Sequence, residues 1–597
     1  MKPGWIVLGV LLIVWSGVAN AQPARWQDEA ERRLSDIRER AGAELGDPAV
    51  QRELKADLDG MLTVMGKLGS PRDENLLLDI AETRRILTIA TTAPDAEAAD
   101  WYRYLADESK LGRTLAFVLS PEDEPVGVIR VLRELRDEFG DSALDEFPEL
   151  VAAICVVHDG EELFARQVNE NRPRTPGVVP LFDFFSTNED RLLFGVREVP
   201  AELLIYVVDI VGDIEEFEWA LDNYEGDQLV GRLFDLIEYD HEHAENGTPK
   251  DVTRHGYTLP GIQEFGGVCA DQAHFAVTVG KSIGVPTAYV TAVGGEVGHA
   301  WVGFLQAEGR NAFWNLDIGR YEEYKGVVGD VLDPQTRRTI GDDELSLLSR
   351  LTRVNRNQRF EAAAWLDTAT LLQRGARTID IGQSKSRTTP REGQAGVLEL
   401  AERALRKNSA DRRGWNIVRT AFADPDMPMD DRTRWSQIII RLCQEANADQ
   451  FMVSLFKPMV ESMEDPRARL QAWERVFSQV RNKKDVRARI RMIQASEFKK
   501  QGDNHRAFLA YQDIINTSLN DTRESQVAVE RVVLMLEEAN KHQEVAQLLT
   551  NVLARVERPI ADAAFASQSN YAVIVALGQR YSAKHGVRIV GLPEEDG

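Results

Sequence analysis

Apolar residues recur at roughly helical spacing through the first 160 positions. Leu34, Ile37, Leu45, Leu54, Leu58 and Leu62 alternate with Arg, Asp and Glu, and the stretches Asn75–Ala90 and Gly127–Phe139 repeat the pattern. This spacing predicts packed helices. A Pro- and polar-rich connector, Asn171–Pro180, is followed by the uniformly apolar run Leu203–Val208, which reads as a strand. From about 190 to 335 the pattern is mixed. Leu229, Val230, Leu233, Leu236 and Ile237 form a helical stripe, and Cys269–Lys281 reads as a helix. Three strand-like runs follow, Val285–Val293, His299–Leu305 and Asn311–Ile318. From residue 343 the chain returns to helical spacing, broken by the polar stretch Gly382–Gly393. There, apolar positions match at an offset of 38 residues, as in Ala495/Val533, Phe498/Leu536, Ala507/Val545, Tyr511/Leu549 and Ile515/Leu553. That period suits helical hairpins stacked on one another.

These changes divide the 597 residues into four parts. Residues 1–21 carry Lys2, an apolar Trp5–Trp15 segment and a small-residue site at Ala19-Asn20-Ala21, the signature of a cleaved export signal. Residues 22–190 form a helical region, 191–340 a mixed region and 341–597 a second helical region. The expected location is periplasmic or extracellular. No later stretch has the roughly 18 apolar residues needed to span a bilayer, so no stable membrane insertion is expected. The formal net charge of −25 argues against a nucleic-acid partner, because a field of that sign repels phosphate.

The three cysteines differ in setting. Cys155 and Cys443 lie in apolar runs and read as buried small hydrophobes, whereas Cys269 follows Gly266-Gly267-Val268. A thiol in the first turn of a helix feels the positive end of the peptide dipoles, which favours thiolate. Downstream, His299 and Asp317 fall on strands separated by the polar segment Gln306–Arg310. A hairpin centred on Glu308 sets His299 directly opposite Asp317, at a spacing where a carboxylate can orient an imidazole. Cys269 as nucleophile, His299 as base and Asp317 as orienting acid would then attack a carbonyl through a thioester. Gln263 is a candidate second oxyanion donor beside the Cys269 backbone N–H. The cluster Asp240-His241-Glu242-His243 has ligand-type side chains, but a helix would point its two histidines apart, so it reads as a solvated segment.

Four motifs occur in order: Gly267-Val268-Cys269, Gly284-Val285-Pro286, His299-Ala300-Trp301 and Trp314-Asn315-Leu316-Asp317. In this respect residues 256–320 resemble the transglutaminase-like superfamily. The resemblance implies a papain-like α+β core, its cysteine helix packed on an antiparallel sheet, flanked by an all-α N-terminal domain and a C-terminal helical repeat region. The C-terminal pattern looks like tetratricopeptide repeats, without their usual signature residues. The implied activity is that of a cysteine protease, amidase or acyltransferase acting on peptide or protein amide bonds, with hydrolysis preferred to cross-linking. The implied triad is Cys269, His299 and Asp317, with no metal and no cofactor. Asp317 is followed by Ile318-Gly319-Arg320 rather than the Pro-Thr common in the family, an ending that Asp333-Pro334-Gln335-Thr336 imitates without the upstream Trp. Family members with altered triads serve as docking modules, so the alternative is a protein-binding scaffold whose partner sits on the C-terminal helices.

Overall fold

The computed structural model describes residues 23–593 apart from 69–73, 108–109, 161–174, 295–296, 310, 321–323, 325–326, 381–389, 425–426, 481–482 and 560–568. The export signal expected at 1–21 lies outside the described residues. The architecture is helix-rich with one small antiparallel sheet, an α+β arrangement. No helix among the described residues is long and apolar enough to cross a membrane.

The sheet holds β1 (Thr287–Gly294), β2 (Val297–Glu308), β3 (Asn311–Asn315), β4 (Asp330–Leu332) and β5 (Thr339–Gly341), in the order β3-β2-β1-β4-β5. All neighbours are antiparallel. The helix Cys269–Ser282 lies across one face, where Thr287 Oγ1 donates to the Val277 carbonyl at 2.9 Å. Gly280 permits that closeness, since a Cβ there would stand 2.5 Å from Thr287 Cγ2. Ala273, Phe275, Ala276, Val277 and Val279 on this helix are all buried. Enclosing Phe275 alone contributes about 2–3 kcal/mol of apolar burial.

Two expectations need correction. Leu203–Val208 belongs to a helix, Ala201–Val208, entered from Pro200 at its N-cap. Every one of these residues is buried, so the run lacks the polar positions that would distinguish period 3.6 from period 2. The β2–β3 hairpin is also tighter than its polar composition implies. Pairing runs from Phe304–Asn315 to Glu308–Asn311, so the turn begins at Gly309. Gly309, at φ 62°, supplies the left-handed backbone that such a short turn requires.

One hydrophobic core runs unbroken from Trp26 to Ala410. It crosses residues 190 and 340, where the sequence pattern changes. Polar ties cross with it. The buried Glu149 accepts from the Ala201 N–H at 2.8 Å and pairs with Arg356 at 2.9 Å and Arg359 at 2.6 Å. Asp333, also fully buried, takes the Tyr206 hydroxyl at 3.1 Å, the Thr336 N–H and hydroxyl each at 2.7 Å, and Arg412. Two further cores follow, the last spanning Ala488–Ile589. There the helices Lys484–Lys500 and Asn504–Thr517 are succeeded by Glu524–Glu538 and His542–Leu553, and the 38-residue pairs read from the sequence all pack in that core.

Candidate active site

Cys269 is the first residue of its helix, and the approach to it is built by backbone geometry. Gly266 takes φ 73°, and a Cβ there would meet the Glu238 carbonyl at 2.5 Å. The reason is a short parallel bridge. Gly267 N–H donates to Glu238 O and Asp240 N–H to Gly267 O, both at 2.9 Å, which draws the segment 238–240 alongside the cysteine turn. Cys269 is half-buried, whereas Cys155 and Cys443 are fully buried.

The backbone N–H groups of Ala300 and Ala270 reach the sulfur. The first sets the cysteine beside β2. Ala300 is paired with Thr291 on its β1 side, and β3 has already left β2 at Phe304. Burial pushes the Cys269 thiol up, against the lowering pull of these two N–H groups; Asp271 adds to the rise and Lys250 opposes it. The group is held as a thiol at neutral pH, which departs from the thiolate expected of a helix start. Desolvation outweighs the dipole here.

His299 immediately precedes Ala300 in β2 and is buried. Alternation along the strand sends Ala300 and Val302 to the face bearing Tyr289 and the cysteine helix, and His299 and Trp301 to the other. The imidazole packs 5.6 Å from the Trp301 ring, 4.8 Å from Tyr324 and 6.1 Å from Phe234. Burial, assisted by the Arg320 cation, lowers its pKa to about 3. The ring is neutral across the physiological range and so able to accept a proton.

The third expected residue is placed differently. Asp317 lies two residues beyond the end of β3, exposed, with its N–H on the Asn315 side-chain oxygen at 3.0 Å. The observed pairing, extended past Asn315, would bring Arg320 level with His299. The guanidinium stacks 4.5 Å from the Trp301 ring centre and pairs with Asp342 at 3.5 Å. Both partners are buried, and burial raises the Asp342 carboxyl to about 7. A cation therefore adjoins the imidazole where the hairpin centred on Glu308 set a carboxylate. Gln263, on the short helix Leu259–Phe265, is exposed. Asp333 is committed to the Tyr206–Arg412 junction described above.

Several residues of the site escaped the sequence reading. Asp271, fully buried, accepts from the Val268 N–H at 2.8 Å, the Tyr257 hydroxyl at 2.7 Å and Lys250 Nζ at 3.1 Å. Its bond to Val268 is half of a capping box, legible from an acid three residues after the N-cap. Tyr239 and Tyr289 also face the sulfur, and burial raises both phenols, Tyr239 to about 12. His241 and His243 are engaged locally. His241 packs edge-to-face against Tyr239 at 5.0 Å, and His243 Nδ1 lies 2.5 Å from the Thr248 carbonyl. Among the described residues no group of three His, Cys, Asp or Glu side chains converges as metal ligands. No protein-family model, no curated protein and no solved structure matches this chain.

Proposed function

We propose that this chain is an exported transglutaminase-like cysteine enzyme that cleaves amide bonds of peptides or proteins through an acyl-thioester on Cys269. The observation that carries the reading is the position of Cys269, at a helix start with the Ala300 N–H near its sulfur and the neutral imidazole of His299 on the preceding residue of β2. The neutral pair sets the order of events. His299 accepts the thiol proton as the sulfur attacks the carbonyl carbon, rather than resting as an imidazolium beside a thiolate. The Cys269 N–H, one of the first-turn donors without a helical acceptor, faces the developing oxyanion. The amine leaves with the proton from His299, and water then cleaves the thioester, releasing the carboxylic acid and restoring the thiol. Cys269 and His299 carry the reading. Asp317 enters it only through the family resemblance, as the third member of the triad. Water is preferred to an amine as acceptor because it is always present.

The test is an electrophilic acyl probe on the full chain at neutral pH under reducing conditions, followed by peptide mapping. Labelling should fall on the peptide bearing Cys269 and vanish in Cys269→Ala. It should slow by about 10²–10⁴-fold in His299→Gln, the usual worth of a general base. A second reading is a binding scaffold with a vestigial core. It is favoured by the enclosure of His299 among Phe234, Trp301 and Tyr324 beside the Arg320 cation. Slow, equal labelling of all three cysteines would select that reading.

A further inference from the structure

We infer that Lys250 and Asp271 are positioning residues for Cys269, a buried ion pair that clasps the incoming chain to the first turn of the cysteine helix and sets the charge felt by the sulfur. The inference rests on the cysteine chemistry proposed above. Its basis is geometric. Asp271 gathers three donors from three points of the chain: Lys250 Nζ at 3.0 Å from Oδ2, the Tyr257 hydroxyl and the Val268 N–H. Lys250 stands just before the helix Asp251–His255, Tyr257 in the loop after it, and Val268 at the N-cap of the cysteine helix. The clasp therefore closes the whole excursion 250–268 onto the turn that presents the thiol. Both charged groups are buried, so water screens neither from the sulfur.

A buried pair of this kind is a costly way to cap a helix. An uncharged Ser or Asn at the N-cap would satisfy a first-turn donor without desolvating two ions. What the pair adds is a fixed cation and a fixed anion beside a nucleophile. The two act on the sulfur in opposite senses, Lys250 favouring thiolate and Asp271 opposing it. The other titratable groups facing Cys269 are Tyr239 from the preceding segment and Tyr289 from β1, whereas the His299 side chain leaves β2 on the opposite face. Burial holds the phenols protonated and the imidazole neutral, which leaves Lys250 and Asp271 as the formal charges nearest the thiol in this set.

The experiment follows iodoacetamide alkylation of Cys269 against pH in the full chain, by peptide mass spectrometry. Asp271→Asn removes the anion and keeps an acceptor for Val268, and should move the alkylation midpoint down. Lys250→Met removes the cation and should move it up. Each shift should be about 0.5–1 pH unit, the size a unit charge about a helical turn from a partly buried group produces. The double variant should return near the parent, and Lys250→Arg should resemble it. Cys155 and Cys443 are internal controls, since their alkylation reports opening of the fold. Opposite shifts with both controls silent establish the role. Shifts of the same sign, or none, overturn it, because a purely structural clasp would loosen the turn alike in both variants. If Lys250→Met exposes the control cysteines, the Arg variant and Asp271→Asn decide. Failure of the enzyme reading would appear instead as a normal titration with no acyl-probe adduct.

Discussion

Replacing His299 by Gln should make the protein less sensitive to acid, and the size of the effect follows from the burial of the ring. An exposed histidine binds a proton near pH 6.5, whereas His299 in the folded state does so only at about 3. A depressed folded-state pKa gives stability that is present above the unfolded value and lost as pH falls toward the folded one. Between pH 7 and pH 5 the unfolded chain takes up a proton at this position that the folded chain refuses. At pH 5 this costs about 2 kcal/mol. His274, lowered to about 4 by burial, costs about the same, and His158 shifts in the same direction. Asp123 and Asp342, raised to about 8 and 7 by burial, work in the opposite sense and gain stability over this range. Only a difference between proteins isolates one ring. Urea unfolding of parent and His299→Gln, followed by tryptophan fluorescence at pH 7 and pH 5, supplies it. The variant should be less stable at pH 7, yet lose about 2 kcal/mol less than the parent on going to pH 5. Equal losses would show that the imidazole is not held neutral, and the base assigned to Cys269 would go with it.

Three further outcomes are expected. Asp333→Ala leaves Arg412 facing a vacated site and should cost about 3–5 kcal/mol in urea unfolding. Burial opposes ionisation of Asp333, but Arg412 and the Thr336 donors outweigh it and hold the carboxyl below its usual range, so the variant's stability should fall less steeply than the parent's below about pH 4. Gly266→Ala must force a side chain into a left-handed turn against the Glu238 carbonyl; it should cost about 1–3 kcal/mol and change the rate of Cys269 alkylation. Asp317→Asn should leave stability within about 0.5 kcal/mol and acyl-probe labelling within about tenfold, because the carboxylate is exposed beyond the strand; a loss near 10⁴-fold would restore it as the group that orients His299.

The cysteine helix was legible from local signals: two glycines to turn the chain and apolar residues at helical spacing; the acid three residues after the N-cap was a further signal that went unread. The strands β2 and β3 were legible from alternation, whereas β4 and β5, three residues each, are too short to show it. The register of β2 and β3 was not, because it depends on how many residues the turn consumes. Gln306–Arg310 is polar and glycine-containing, so it reads as a loop, although Gln306, Ala307 and Glu308 continue β2. Three residues of extra strand suffice to move the extrapolated match of His299 from Asp317 to Arg320. The Lys250–Asp271 pair was invisible for another reason. Its members are 21 residues apart in sequence, and no periodicity links a lysine in one loop to an acid on the next long helix.

The continuous core from Trp26 to Ala410 bears on how this chain can change over time. Phe117 stacks on Phe360 at 4.8 Å, Arg85 grips Asp367 at 2.6 Å, and Gln335 reaches back to the Val118 carbonyl at 3.0 Å. A stretch cut out at 191 and 340 would carry raw apolar surface on both flanks and leave matching wounds behind. The portion bearing Cys269 is thus no interchangeable cassette. Whatever reshapes the surroundings of Cys269 must be tolerated by helices more than a hundred residues away, and a piece that recombination could transplant must reach from Trp26 past Ala410 to include Arg412, the partner of Asp333.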